Sequence, residues 1–251
     1  MQFFYTFFWC VCSVALMGQS SGTISFQETI KLELDLPEGI DISGMMSDNI
    51  TTNKILSFEG KESVYRDDKG NEDHEKEITS DDGSFKMVLK MDSPEEIFYT
   101  NIGSKEQFRQ TSFMGKTFLI ESKVEKPKWR LTNEKVKYLG YVCQKAERTE
   151  QIEEEGRERL IVAWFTSEIP APIGPAGYSN LPGAVLMVNI DDGKTEIKAT
   201  SVDLGAIDAS SLQRPSKGQK VSQDEFEKIV EEKTKEMEAE YGGEGSFIIR
   251  G

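Results

Sequence analysis

The side chains that could perform covalent or metal chemistry are few and lie far apart in the chain. His74 is the only histidine, set in the acidic run NEDHEKE, so a zinc site with two histidines cannot be assembled from one copy. A nucleophilic cysteine needs a neighbouring base to hold it as thiolate. Cys143 and His74 fall on different predicted hairpins with no nucleophile signature around either, and the expectation for Cys143 is a buried, inert thiol. No GxSxG elbow, P-loop or dinucleotide fingerprint is present, so no cofactor is expected. The adjacent Met45 and Met46 are expected to fill a gap rather than bind a soft metal.

Carboxylates are abundant but scattered. Glu153, Glu154 and Glu155 occupy one predicted hairpin tip, and Asp67-Asp68, Asp81-Asp82 and Asp191-Asp192 occupy turns, where acidic side chains suit both solvent and turn geometry. A hydrolase would need two carboxylates on inward-facing positions, paired as in glycosidases, with one kept neutral by burial. That is the alternative to a binding role.

The distinctive stretch is WFTSEIPAPIGPAGYSNLPGAVLMV, residues 164–188. Four prolines fix φ there and three glycines permit unusual φ, which together specify a rigid, irregular crossing between two apolar strands. Such a loop is either a corner that lets the sheet turn or a recognition loop presenting Tyr178, Leu181 and Pro182.

The elements that must position these residues are mostly strands. Residues 23–36, TISFQETIKLELDL, alternate apolar and polar side chains and predict a half-buried strand. After a loop over residues 37–53, strand-like runs alternate with turn dipeptides. KILSFEGKESVYR and HEKEITS flank Asp68 to Asn71; HEKEITS and SFKMVLKM flank Asp82-Gly83; EQFRQTSF and KTFLIESKV meet near Gly115. YVCQKAERTEQIE and RERLIVAWFTS meet near Glu155-Gly156, and AVLMVNI and KTEIKATSVDL meet at Asp191-Asp192-Gly193. So many hairpins leave little room for parallel α/β units. One helix is predicted, over 222–241, with Ser222 and Glu225 as its capping box, Val221 and Phe226 as its staple, and Gly242-Gly243 as its stop.

Composition bounds the remainder. A hydrophobic content of 37% is enough for a core. The net charge of -14 would repel phosphate backbones, so nucleic acid is not an expected partner. Residues 3–17 carry no charge and precede a small, polar stretch, which reads as a signal peptide over 1–22, although no Lys or Arg stands before it. The apolar run is shorter than the roughly 20 residues of a spanning helix, so no transmembrane segment is expected after its removal. Export also leaves Cys143 as the only cysteine, without a disulfide. A single domain over 23–251, held by its core, is the expected organisation.

Two runs carry a family resemblance: WRLTNEKVKYLGYVCQKA (129–146) and AWFTSEIPAPIGPAGYSNLPGAVLMV (163–188). The Trp, the Gly-Tyr-x-Cys-x-Lys-Ala strand, the Ala-Trp-Phe-Thr strand and the following Ile-Pro and Gly-Pro resemble the GLPGLI family of secreted Bacteroidetes proteins. The naming hexapeptide reads Asn180-Leu181-Pro182-Gly183-Ala184-Val185 here, differing at its first, fifth and sixth positions. The resemblance implies an exported protein of unassigned role, and a strongly curved antiparallel sheet or incomplete β barrel with one C-terminal helix, similar to bacterial lipoprotein carriers. On that basis the expected function is a non-enzymatic periplasmic, outer-membrane-associated or extracellular binding protein. Its partner would be a hydrophobic small molecule or an envelope protein, and a structural envelope component is a further alternative. Candidate contact residues are Trp129, Tyr141, Cys143, Trp164, Phe165, Tyr178, Leu181 and Pro182, since aromatic side chains combine apolar faces with polar handles.

Overall fold

The computed structural model describes residues 21–31, 49–68, 74–79, 86–91, 96–124, 127–152 and 156–241. The predicted export segment up to residue 20, the Met45-Met46 loop, the Asp81-Asp82 and Glu153 to Glu155 tips and Gly242-Gly243 lie outside them. The strands are β1 (Ser21–Lys31), β2 (Asn49–Glu59), β3 (Glu62–Asp67), β4 (His74–Thr79), β5 (Lys86–Met91), β6 (Ile97–Asn101), β7 (Glu106–Phe113) and β8 (Lys116–Lys123). They continue as β9 (Arg130–Tyr138), β10 (Tyr141–Ile152), β11 (Arg157–Thr166), β12 (Ala184–Ile190), β13 (Thr195–Leu204) and β14 (Gln219–Val221), before α1 (Gln223–Tyr241), the one α-helix among the described residues.

Twelve strands form one sheet in the order β14-β8-β7-β6-β3-β2-β1-β13-β12-β11-β10-β9, and β4 pairs only with β5. The large sheet is curved and open, with β14 and β9 at its edges. Hairpins dominate because the turns supply positive φ: Met114 and Gly115 (48° and 73°), and Asp191, Asp192 and Gly193 (54°, 53° and 90°). The parallel pairing of β14 with β8 is an exception to the antiparallel pattern. Bulges in β1 at Ser25/Phe26, in β10 at Gln144/Ala146 and in β11 at Trp164/Phe165 add bends, and bulges strengthen local twist.

One expected pairing is corrected. The run 54–66 is two strands, because Gly60 turns with φ 60° and folds β3 back on β2. β3 then pairs with β6 on its other side, so the segment 74–79 does not pair with it. The turn falls in the polar stretch Glu59-Gly60-Lys61-Glu62, a Gly-centred break in the apolar pattern that ends one strand and starts the next.

The main core lies on one face of the sheet. Ile24, Phe26, Leu56, Phe58, Ile161, Val188 and Ile197 are buried there, each contributing about 1.5–3 kcal/mol by removal from water. A smaller cluster on the other face joins Val64, Tyr99, Phe108 and Leu119 to Leu212 from the crossing before β14. The helix begins as expected. Glu225 N donates to Ser222 Oγ at 3.2 Å and Ser222 N donates to Glu225 Oε2 at 2.8 Å, while Val221 and Phe226 pack with Phe118 and Ile120 of β8. Among the described residues no helix is long and apolar enough to cross a membrane.

Candidate functional site

The Pro/Gly-rich segment 167–183 lies over the core face as a strap. Ile169, Ala171, Ile173 and Leu181 are fully buried beneath it. Its backbone is satisfied locally: Ala171 N donates to Ile169 O at 2.8 Å, Asn180 N to Pro172 O at 3.1 Å, Ala184 N to Ile169 O at 3.1 Å and Val185 N to Ile173 O at 2.9 Å. Two glycines are required by close approach. A Cβ on Gly183, whose φ is +150°, would stand 2.0 Å from Thr166 O, and one on Gly174 would stand 1.9 Å from Tyr178 O. Gly177 lies against the Gln107 side chain, so the strap, anchored between β11 and β12, reaches across to β7. The segment therefore fills the apolar centre that a curved sheet would otherwise leave open.

The strap also organises the predicted aromatics. Trp129 Nε1 donates to Ser179 O at 3.1 Å, and the rings of Trp129 and Tyr178 both face Arg148, with its guanidinium 4.7 Å and 5.1 Å from their centres. Arg148 Nε is buried without a hydrogen-bond acceptor among the described residues, and the two π faces add charge-complementary surface to the guanidinium. Its terminal nitrogen pairs with Glu150, whose other oxygen accepts from Arg159 Nε at 3.0 Å and Nη2 at 2.8 Å.

Register places a second polar group on the same face, toward β6. Cross-strand pairs set Lys54 beside Asp67 and Tyr65 beside Phe98, with Glu28 in the same alternation as Phe26. Lys54 Nζ lies 2.7 Å from Asp67 Oδ1, with the lysine side chain only 8% exposed. Arg109 Nε donates to Glu96 Oε1 at 2.6 Å. Glu28 has one hydrogen bond among the described residues, accepted from Tyr65 Oη at 3.3 Å. Its carboxylate is hemmed in by protein while solvent still reaches part of it. Burial pushes its carboxyl above the ordinary value; Lys54 opposes this, and the negative charges of Glu96 and Asp67 add to it. Burial raises the Tyr178 hydroxyl above its ordinary value, and the charges of Glu150, Arg159, Arg148 and Glu28 act on it as well.

The remaining predicted residues are placed differently. Cys143 is completely buried, and burial together with Glu168 pushes its thiol up to about 11, which makes it unreactive. Phe165 and Leu181 are core, Tyr141 and Trp164 are half-buried against it, and Pro182 is exposed. Of the residues expected from the sequence, Trp129 and Tyr178 both face Arg148, while Glu28, Tyr65, Arg148, Glu150 and Arg159 were not among them. A glutamate and two arginines inside otherwise alternating strands were the available signal, since charges on a core-facing phase need a reason. Among the described residues no three His, Cys, Asp or Glu side chains converge as metal ligands.

No curated protein matches the chain. Solved structures of PNGF-II in space groups P21 and C2 are similar at 17% identity, with TM-scores of 0.48 and 0.46; the matches cover 83% and 82% of this chain. The chain spans about a third of the PNGF-II chains, 33% and 32%. A family model described as a protein of unknown function (Porph_ging) matches residues 147–187, the segment from β10 through the strap into β12 that carries Arg148, Arg159 and Tyr178.

Proposed function

We propose that this chain is an exported, GLPGLI-type binding protein without enzymatic activity, and that its contact surface is the strap and the aromatic–arginine group it organises. The observation that supports this reading is the convergence of Trp129 and Tyr178, distant in sequence, on Arg148. Ile169, Ala171, Ile173 and Leu181 already occupy the apolar centre, so a hydrophobic cargo would have to displace the strap. The reading accordingly favours a ligand or envelope partner that meets the polar-rimmed aromatic surface. Native mass spectrometry of the mature protein from the periplasm, before and after organic extraction, tests it. A removable added mass, lost in a Tyr178→Ala variant that still melts cooperatively, is the expected result. A Tyr178→Ala variant that is folded and retains its partner would overturn it.

A hydrolase is the second reading, favoured by three carboxylates on one face, Glu28, Asp67 and Glu96, with Glu28 held toward its neutral form. Turnover of ester, amide or glycoside model substrates that disappears in Glu28→Gln would replace the binding reading.

A further inference from the structure

On one side the sheet ends at β9, which pairs with β10 alone among the described residues. In an antiparallel pair, backbone groups point alternately toward the partner strand and away from it. Val142 N donates to Glu168 Oε1 at 2.8 Å, so its backbone points away from β9. Its cross-strand neighbour Lys137 therefore turns its own N–H and C=O to the open side. Lys135, two residues back and opposite Gln144, repeats that orientation. The outward backbone groups of these two lysines form a template for a further strand.

The side chains along this edge are of two kinds. Val136 and Leu131 stand opposite the buried Cys143 and Ala146, so they lie on the core face, yet they are 38% and 48% exposed for want of a flanking strand. Leu139 in the turn between β9 and β10 is exposed as well, and so is Val142. Large exposed apolar side chains thus gather at this edge instead of being scattered. On the opposite face Lys135 and Lys137 are exposed and pair with no carboxylate among the described residues. The nearby carboxylates are committed elsewhere: Glu134 accepts from Lys145 at 3.0 Å, and Glu147 pairs with Lys145 and Arg130.

We propose that β9 receives an extended segment of a partner protein as an additional strand, and that this segment alternates acidic and apolar residues. Its acidic side chains lie against Lys135 and Lys137, and its apolar ones cover Val136 and Leu131. Main-chain bonds supply the affinity and the alternating contacts choose the partner. A second copy of this chain fits less well, because two-fold antiparallel pairing about Val136 sets Lys135 against Lys137 of the other copy. The net charge of -14 opposes an acidic segment at long range. At physiological salt, however, exposed charges beyond about 8 Å are largely screened, whereas the two lysines are in contact with the segment. This inference goes beyond the binding reading above, which concerns the strap.

The test is fluorescence polarisation of short labelled peptides titrated with the purified protein. The probes are an alternating Glu-Val peptide, an alternating Lys-Val peptide, and the Glu-Val peptide N-methylated at every glutamate, which lacks the donors that would face β9. The unmodified Glu-Val peptide is expected to bind at least about tenfold more tightly than either of the others. Reversing the edge charge with Lys135→Glu and Lys137→Glu together should transfer the preference to the Lys-Val peptide. Both positions are exposed, and a cooperative melt confirms that the double variant is folded. Saturating Glu-Val peptide should also slow hydrogen exchange at the Lys135 and Lys137 amides by at least about tenfold, which locates the segment on the open edge. Equal binding of the three peptides, a preference unmoved by charge reversal, or unchanged exchange at both amides overturns the proposal. Self-association of the protein that Val136→Lys abolishes overturns it too, by assigning the edge to a second copy.

Discussion

At the residue scale, Glu28 and Cys143 show how one physical cause, burial, has different consequences. The folded Glu28 carboxyl titrates above its unfolded value, so between those two values the native state holds more protons than the unfolded chain. Stability therefore falls as pH rises through that window and is retained below it. Glu28→Gln removes the loss. Its melting temperature should exceed that of the parent at pH 7 and coincide with it near pH 4, and thermal melts across this range check the sign. A variant less stable at pH 7 would mean that Glu28 has a compensating partner. Cys143 is instead sealed in the core with its thiol pushed up to about 11. Ellman's reagent at pH 8 should leave it unmodified in the folded protein and label it rapidly in denaturant.

At the element scale, the strap is held by its buried anchors and by glycine, while its aromatic residue faces a charge. Leu181→Ala should cost about 2–5 kcal/mol in urea denaturation, because the site sits between the strap and β12 with little freedom to collapse. Gly183→Ala combines a positive φ with a Cβ 2.0 Å from Thr166 O and should cost more than about 1 kcal/mol by the same measurement. By contrast, Ser222→Ala removes a cap at the far edge of the molecule. It should lower stability by about 1 kcal/mol without altering any property of the strap, as ligand titration beside denaturation would show.

At the scale of the whole molecule, an open sheet has two edges to protect. β14 is short and adjoined by α1, which packs on β8, whereas β9 is longer and leaves Leu131 and Val136 exposed. Glu134, Lys135 and Lys137 along β9 supply the charge that discourages edge-to-edge pairing. Sedimentation velocity should accordingly show a monomer. Concentration-dependent association abolished by Val136→Lys would shift weight to the structural envelope reading.

The chain's own pattern determined the class of fold. Alternating strands, turn dipeptides with positive φ and a capping box are local codes, each read within a few residues, and they specified the hairpins and α1 directly. The expected pairing departed from the structure at Gly60, where a polar, Gly-centred turn folds β3 back on β2. The strap's composition announced a rigid segment and put Tyr178 among the candidates, while Trp129 entered from the family-like run 129–146. Whether the strap turned a corner or faced solvent depended on how far a curved sheet brings β7 toward β12, and that is a property of the accumulated twist of many strands. The charged residues Glu28, Arg148 and Arg159 lie on the core face for the same reason. Their sequence separations exceed 100 residues between Glu28 and either arginine, and pairing register alone places them on one face. Tertiary structure thus decided the site, because its charges are balanced across the sheet and not along the chain.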